Sequence, residues 1–216
     1  MKLLIFDWDG TLMDSGSKIV NCFHRSAIDN GLEPAPEKPI RELIGMSLNQ
    51  AWMRLYPDLD DVKLSAVLQS YRDYWIFRDS TPMPYFDYVE QGLMDLERAG
   101  FLLAVATGKS RAGLDRVLKE SKIDSKFVIT RCADETRPKP HPQMLLEILD
   151  FCGVAADDAT MIGDTEFDMS MALNADVNSL AVSYGYHSLD TLQTLSDFPV
   201  QPSFKSLVDW LLDQQH

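Results

Sequence analysis

The stretch LLIFDWDGTL, residues 3–12, runs four apolar residues into two aspartates separated by one residue, and Gly-Thr follows at once. Residues 3–6 read as a short, buried strand. Unpaired buried charge is expensive, and neighbouring carboxylates push at least one pKa upward. Asp7 and Asp9 therefore either decorate an exposed turn or hold something positive between them. Outward from this strand, apolar runs recur at 101–106, 159–162 and 179–182, with a weaker one at 127–130. Helical patterns at 89–98, 111–119, 143–151 and 167–174 separate the later runs. This alternation predicts an α/β fold, a Rossmann-like parallel-sheet core covered on both faces. The ligand crevice of such a sheet lies beyond the carboxyl ends of its strands.

The segment 15–84 breaks the rhythm. It holds no strand-like run and four helical ones, at 19–30, 39–44, 48–56 and 61–77, bracketed by EPAPEKP at 33–39 and TPMP at 81–84. The simplest reading is an all-helical cap domain, 15–84, inserted into a catalytic core of 1–14 and 85–216. A last amphipathic helix is expected at 204–212.

Composition bounds the function. The chain has 216 residues, 45% apolar and 25% charged, which suits one core carrying a smaller insert. Twenty basic against thirty-three acidic residues give a net charge of −13, which repels nucleic acid and anionic membranes. Cys22, Cys132 and Cys152 lack metal-ligand spacing and read as free thiols of a reducing compartment. The start MKLLIFDWDG is not a signal peptide, and no run approaches the roughly 18 apolar residues of a membrane span. A cytoplasmic protein is expected; its oligomeric state is not readable.

Polar clusters end the strands: Asp7 to Thr11 after the first, Thr107-Gly108-Lys109-Ser110 after the second, and Gly163 to Asp168 after that at 159–162. Between the last two lies Arg137-Pro138-Lys139-Pro140-His141-Pro142, a rigid turn. Parallel strands bring these clusters to one edge. Several carboxylates suit a hard divalent cation such as Mg²⁺, which keeps waters and a substrate phosphate. Helix N-termini and the loop at Gly10 offer N–H groups to an anion, and Lys139 adds a positive charge. A carboxylate nucleophile with a second carboxyl group to move a proton describes phosphoryl transfer through an aspartyl-phosphate.

In order, DWDGTL at 7–12, Thr107 after a strand, Lys139 in KPHP and GDTEFD at 163–168 resemble the four motifs of the haloacid dehalogenase superfamily. The helical insert resembles the cap of its phosphoglycolate phosphatase-like branch, so the likeness spans essentially the whole chain. The resemblance implies Asp7 as nucleophile and metal ligand, and Asp9 as general acid and base with its carbonyl on the metal. It implies Thr107 and the Gly108 amide as phosphate ligands, Lys139 as the charge steadying Asp7, and Asp164 and Asp168 as metal residues around Mg²⁺. The amides of Trp8 and Gly10 join the anion-binding loop. Arg41, Gly45 and Ser47 are expected to line the pocket mouth, facing a small phosphorylated metabolite: phosphoglycolate-like, sugar phosphate, nucleotide or pyrophosphate. Three departures stand out: Trp8 between the aspartates, whose ring should change the pocket wall; Gly108 where Asn is frequent; and Ala175-Asp176 where Ala-Gly is usual, a turn Asp can still make.

Other readings are weaker. Asp9 argues against a dehalogenase, which lacks an acid there, and none of Lys18, Lys38 and Lys63 sits in the setting of a phosphonate hydrolase's cap lysine. A sugar-phosphate mutase, or a binding module on the same fold, remains the alternative. A nucleotide P-loop is excluded because Leu103 stands where its first glycine would be. His24, His141, the acidic runs at 58–61 and 157–158, and the aromatics Trp52, Tyr71, Tyr74 and Trp75 read as surface or cap core.

Overall fold

The computed structural model describes residues 2–121 and 123–214. Five strands, β1 (Leu3–Phe6), β2 (Leu102–Thr107), β3 (Ile129–Cys132), β4 (Ala159–Gly163) and β5 (Asn178–Ala181), form one parallel sheet in the order β3-β2-β1-β4-β5. The central β1 carries no exposed residue, as its unbroken LLIF demands. Successive side chains leave opposite faces of a strand. Leu4, Phe6, Leu103 and Val105 accordingly pack with helices α5 (Val89–Arg98), α6 (Arg111–Glu120) and α10 (Phe204–Asp213). Leu3, Ile5, Ala104 and Met161 pack on the other side, with α7 (Gln143–Cys152) and α8 (Glu166–Asn174).

Between β1 and α5 the chain forms a helical insert with its own apolar cluster. It comprises α1 (Gly16–Asp29), α2 (Glu37–Arg41), α3 (Leu48–Leu55) and α4 (Asp61–Asp73), the last continued by one π-helical turn, Tyr74–Arg78, closed by Asp79 N–H on the Tyr74 carbonyl at 2.9 Å. Phe23 lies against both Trp52 and Tyr71, and Trp75 stacks on Tyr71, so the insert's aromatics supply much of its core.

Some expectations shift. The strand expected at 127–130 lies two residues later because Thr130 and Arg131 mask it: both point out of the sheet, Arg131 to Glu147 and Thr130 to Arg111. The helix expected at 39–44 begins at Glu37, with Pro39 in its first turn where no N–H is needed. Beyond Arg41 it tightens into successive i→i−3 bonds, Leu43 to Ile40, Ile44 to Arg41 and Met46 to Leu43. A helix α9 (Leu189–Leu195), which no sequence pattern had suggested, covers Met169 and Ala181 through Leu192. Asp176 takes the left-handed backbone expected of it, φ 54°. All three cysteines are free, and no described helix is long and apolar enough to cross a membrane.

Candidate active site

β1 is the switch point of the sheet, flanked by β2 on one side and β4 on the other, and the polar clusters meet there. Asp7 follows β1 directly, its N–H donating to the Ile162 carbonyl of β4 at 2.9 Å. Asp164 follows β4, and Asp168 sits in the first turn of α8. One oxygen from each of Asp7, Asp164 and Asp168 lies within 4.8 Å of the others, and all three residues are buried. Lys139 is fully buried among them, its Nζ 2.8 Å from Asp7 Oδ1 and 2.6 Å from Asp168 Oδ1.

The positioning of each carboxylate is local chemistry. Thr165 caps α8 and Asp168 closes the reciprocal capping box, its Oδ2 accepting from the Thr165 N–H at 3.1 Å and hydroxyl at 2.7 Å. Asp168 thus has both oxygens engaged before any ligand arrives. Asp164 accepts from the Thr11 hydroxyl and from the Tyr186 N–H, each at 2.9 Å. Asp7 Oδ2 has no hydrogen-bond partner although it is buried.

The electrostatics express the crowding. Burial, then the Asp168 charge, raises the Asp7 carboxyl to about 7 against the opposing pull of Lys139. Burial together with Asp168 and Asp7 raises Asp164 well above the carboxylate range. Burial works to lower the Lys139 ammonium, and the charges of Asp168 and Asp7 more than reverse it. Three carboxylates around one ammonium in a dry site cannot all stay ionised without a further positive charge.

Asp9 stands apart from this group. Its Oδ1 accepts from the Ser15 hydroxyl and pairs with Lys109 Nζ at 2.8 Å, while Oδ2 makes no hydrogen bond among the described residues. Lys109 also lies over the Trp75 ring of the insert, 4.1 Å from its centroid. Lys109 was not among the expected site residues. Its neighbours Thr107 and Gly108 were the only sequence signal, since Trp75 lies 34 positions earlier.

A cavity of about 660 Å³ opens above Asp7 and Asp9, between the sheet and the insert. Gly108, Gly45 and Ser47 are among the residues that line it. A Cβ at Gly108 would stand 2.7 Å from the Met46 carbonyl oxygen and 2.8 Å from that of Gly45, so the missing side chain is what lets the insert approach. Thr107 is fully buried at the end of β2, its hydroxyl accepting from the Lys109 N–H at 3.2 Å.

Four expected residues behave differently. The Trp8 ring is no pocket wall; it is fully buried under the sheet, edge-on to Phe127, with its indole N–H unpartnered. The Gly10 N–H is spent on the Met13 carbonyl at 2.9 Å. Gly10 is needed instead for its φ of 84° and for the room it gives the Asp164 carboxylate. Arg41 does not line the cavity: it pairs with Glu37 at 2.7 Å and lies over the Tyr186 ring, fastening the insert to the loop after β5. The Ser47 hydroxyl caps α3 and donates to Gln50 Oε1 at 2.8 Å.

A family model for haloacid dehalogenase-like hydrolases matches residues 4–182, most of the chain. The chain belongs to this family. The protein named "Probable phosphatase IndB" of Dickeya dadantii (strain 3937) is 32% identical over 212 residues, 95% of this chain and 91% of its own. The pyrophosphatase PpaX of Bacillus cereus (strain AH820) is 26% identical over 185 residues, 85% of this chain and 84% of its own. Among solved structures, a predicted phosphatase from Clostridium acetobutylicum superposes with a TM-score of 0.87 at 26% identity, covering 98% of each chain. In this haloacid dehalogenase-like hydrolase the buried carboxylates therefore sit in a fold shared with phosphatases.

Proposed function

We propose that this hydrolase is a Mg²⁺-dependent phosphatase that releases phosphate from a small phosphorylated metabolite through an aspartyl-phosphate on Asp7. The observation that carries the reading is Asp7 Oδ2: a buried carboxylate oxygen without a partner, beside the cavity, where three buried carboxylates converge. The same observation is the test of fit for a cation. An all-oxygen donor set of three aspartates suits Mg²⁺. Asp7 and Asp164 would hold it directly with the Asp9 carbonyl, the Asp164 oxygens accepting only from a neutral hydroxyl and amide, and Asp168, which is paired with the Lys139 ammonium and closes the Thr165 cap, would support them. Bound there, Mg²⁺ would offset the carboxylate charge and draw the phosphate oxygens toward Asp7.

In this reading the Asp7 carboxylate attacks phosphorus, and the bond from phosphorus to the leaving oxygen breaks as Asp9 gives that oxygen a proton. Asp9 then takes a proton from water, whose oxygen displaces Asp7 from phosphorus and frees phosphate. Lys109 and Ser15 hold one oxygen of Asp9, which leaves the other for the proton. Lys139 keeps Asp7 oriented and balances the charge it gathers. The Gly108 N–H and the Thr107 hydroxyl bind phosphate oxygens. Residues 15–84 act as a cap that excludes water from the phosphoenzyme, over a core of 1–14 and 85–216.

The test is phosphate release from a panel of phosphorylated metabolites with and without Mg²⁺, beside Asp7→Asn. Metal-dependent release that the variant loses is the expected result. Undiminished turnover by Asp7→Asn refutes the mechanism.

A further inference from the structure

We infer that the substrate carries its phosphate on a largely apolar leaving group, and is neither pyrophosphate nor a small carboxylate- or hydroxyl-rich phosphate. The inference rests on the phosphatase reading for where the phosphate sits, and on the insert's side of the cavity for the rest. Six side chains there, Met46, Leu48, Met53, Leu68, Trp75 and Ile76, face the space above Asp7 and Asp9. Met53 is 55% exposed, a large apolar side chain left open to water.

Of the polar groups on that side, Tyr71 is buried with its ring between Phe23 and Trp75, and Asn49 stands at an exposed position. Ser47 and Gln50 bond each other. Lys109, from the sheet side, is taken by Asp9 and Trp75. Among the described residues the insert contributes one charged side chain to the lining, Arg72 on α4, and it is solvent-exposed. A second phosphate or a carboxylate beside the first needs several donors or cations within reach. A polyol laid on this wall would give up hydrogen bonds to water that the wall does not replace. An apolar group would instead remove the wall from water. The volume, about 660 Å³, also exceeds what pyrophosphate can fill and lies in the range of pockets that take ring-sized ligands.

The experiment uses the Mg²⁺-loaded protein and alkyl phosphates of matched reactivity: ethyl, butyl and 2-phenylethyl phosphate against glycerol 3-phosphate, phosphoglycolate and pyrophosphate. kcat/KM should rise along the alkyl series, with 2-phenylethyl phosphate about tenfold or more above glycerol 3-phosphate. Leu68→Gln and Met46→Gln, at half-buried sites, should cost the phenylethyl ester about tenfold, chiefly in KM, and leave ethyl phosphate within about twofold. Equal or better turnover of glycerol 3-phosphate, phosphoglycolate or pyrophosphate overturns the inference while leaving the phosphatase reading intact. So does an equal loss for every ester in the two variants. If no ester releases phosphate, the phosphatase reading falls, and calorimetric titration still decides the wall's preference. Binding of 2-phenylethylphosphonate about tenfold tighter than phosphonoacetate supports it; the reverse order sinks it.

Discussion

Asp7, Asp164, Asp168 and Lys139, at the carboxyl ends of the strands, are at most 1% exposed, and each is held by named partners. Across the cavity, Met46, Leu48, Leu68 and Ile76 are half-buried and held by shape alone. The first region is expensive to build, because like charges are buried together, and its geometry tolerates little change. The second is cheap, and one apolar residue can replace another at small cost. The difference separates two tasks. A dense, pre-oriented polar site suits a reaction common to many phosphates, whereas an adaptable apolar wall suits choosing among them.

The largest effect should come from the first region, and it should split activity from stability. Asp7→Asn is expected to lower kcat by about 10⁴-fold or more. The same change removes one of three crowded carboxylates while keeping an oxygen for Lys139, so the metal-free variant should be more stable by on the order of 1 kcal/mol. Thermal melts with and without Mg²⁺ check this: the variant should melt higher without metal and gain less from adding it. A variant that melts lower without metal would break the comparison, since the site would then not be under electrostatic load.

Lys139→Met comes next. Removing the ammonium that pairs with Asp7 and Asp168 among three buried carboxylates should cost about 3–5 kcal/mol, measured by denaturant unfolding, and should leave almost no turnover. If stability is unchanged, the carboxylates are not pressed together as their raised pKa values indicate.

How much of this contrast is legible in the chain follows from how local each feature is. LLIF is unambiguous because a strand buried on both faces needs no partner to declare itself, and β1 keeps the expected bounds, residues 3–6. Convergence of Asp7, Lys139, Asp164 and Asp168 follows from parallel strands sharing one end, so topology alone brings them together. What depended on which partner a group finds in the fold was hidden. Arg41 is drawn from the cavity by Glu37 and Tyr186, the latter 145 positions on. Trp8 shows whether it faces pocket or core only once Phe127 is placed beside it. The Gly10 N–H is lost to a turn closed by Met13, which no motif announces.

Lys109 joins the two regions, and its removal sharpens the comparison at intermediate size. Lys109→Met keeps an apolar side chain of similar length but removes the ammonium from both Asp9 and the Trp75 ring. The expected loss is about tenfold in kcat with little change in KM, because Asp9 is the group whose position suffers. A loss confined to KM would instead assign Lys109 to holding substrate.

The smallest effect lies outside both regions. Arg111 at the start of α6 holds Glu135 through two bonds of 2.8 and 2.9 Å, and Glu135 accepts from the Cys132 N–H at the end of β3. The hydrogen bond from Arg111 lowers the Glu135 carboxyl below its ordinary value of 4.5. A depressed carboxylate stabilises the fold above its unfolded-state pKa, and that contribution is lost as pH falls through the folded-state value. Solvent screens this half-exposed pair, so Glu135→Gln should cost less than about 1 kcal/mol at pH 7. The difference from wild type should shrink toward zero below pH 4.5 and should shrink in high salt. A difference that persists at low pH would mean that Glu135 acts through packing or the geometry of its bonds, and not through its charge.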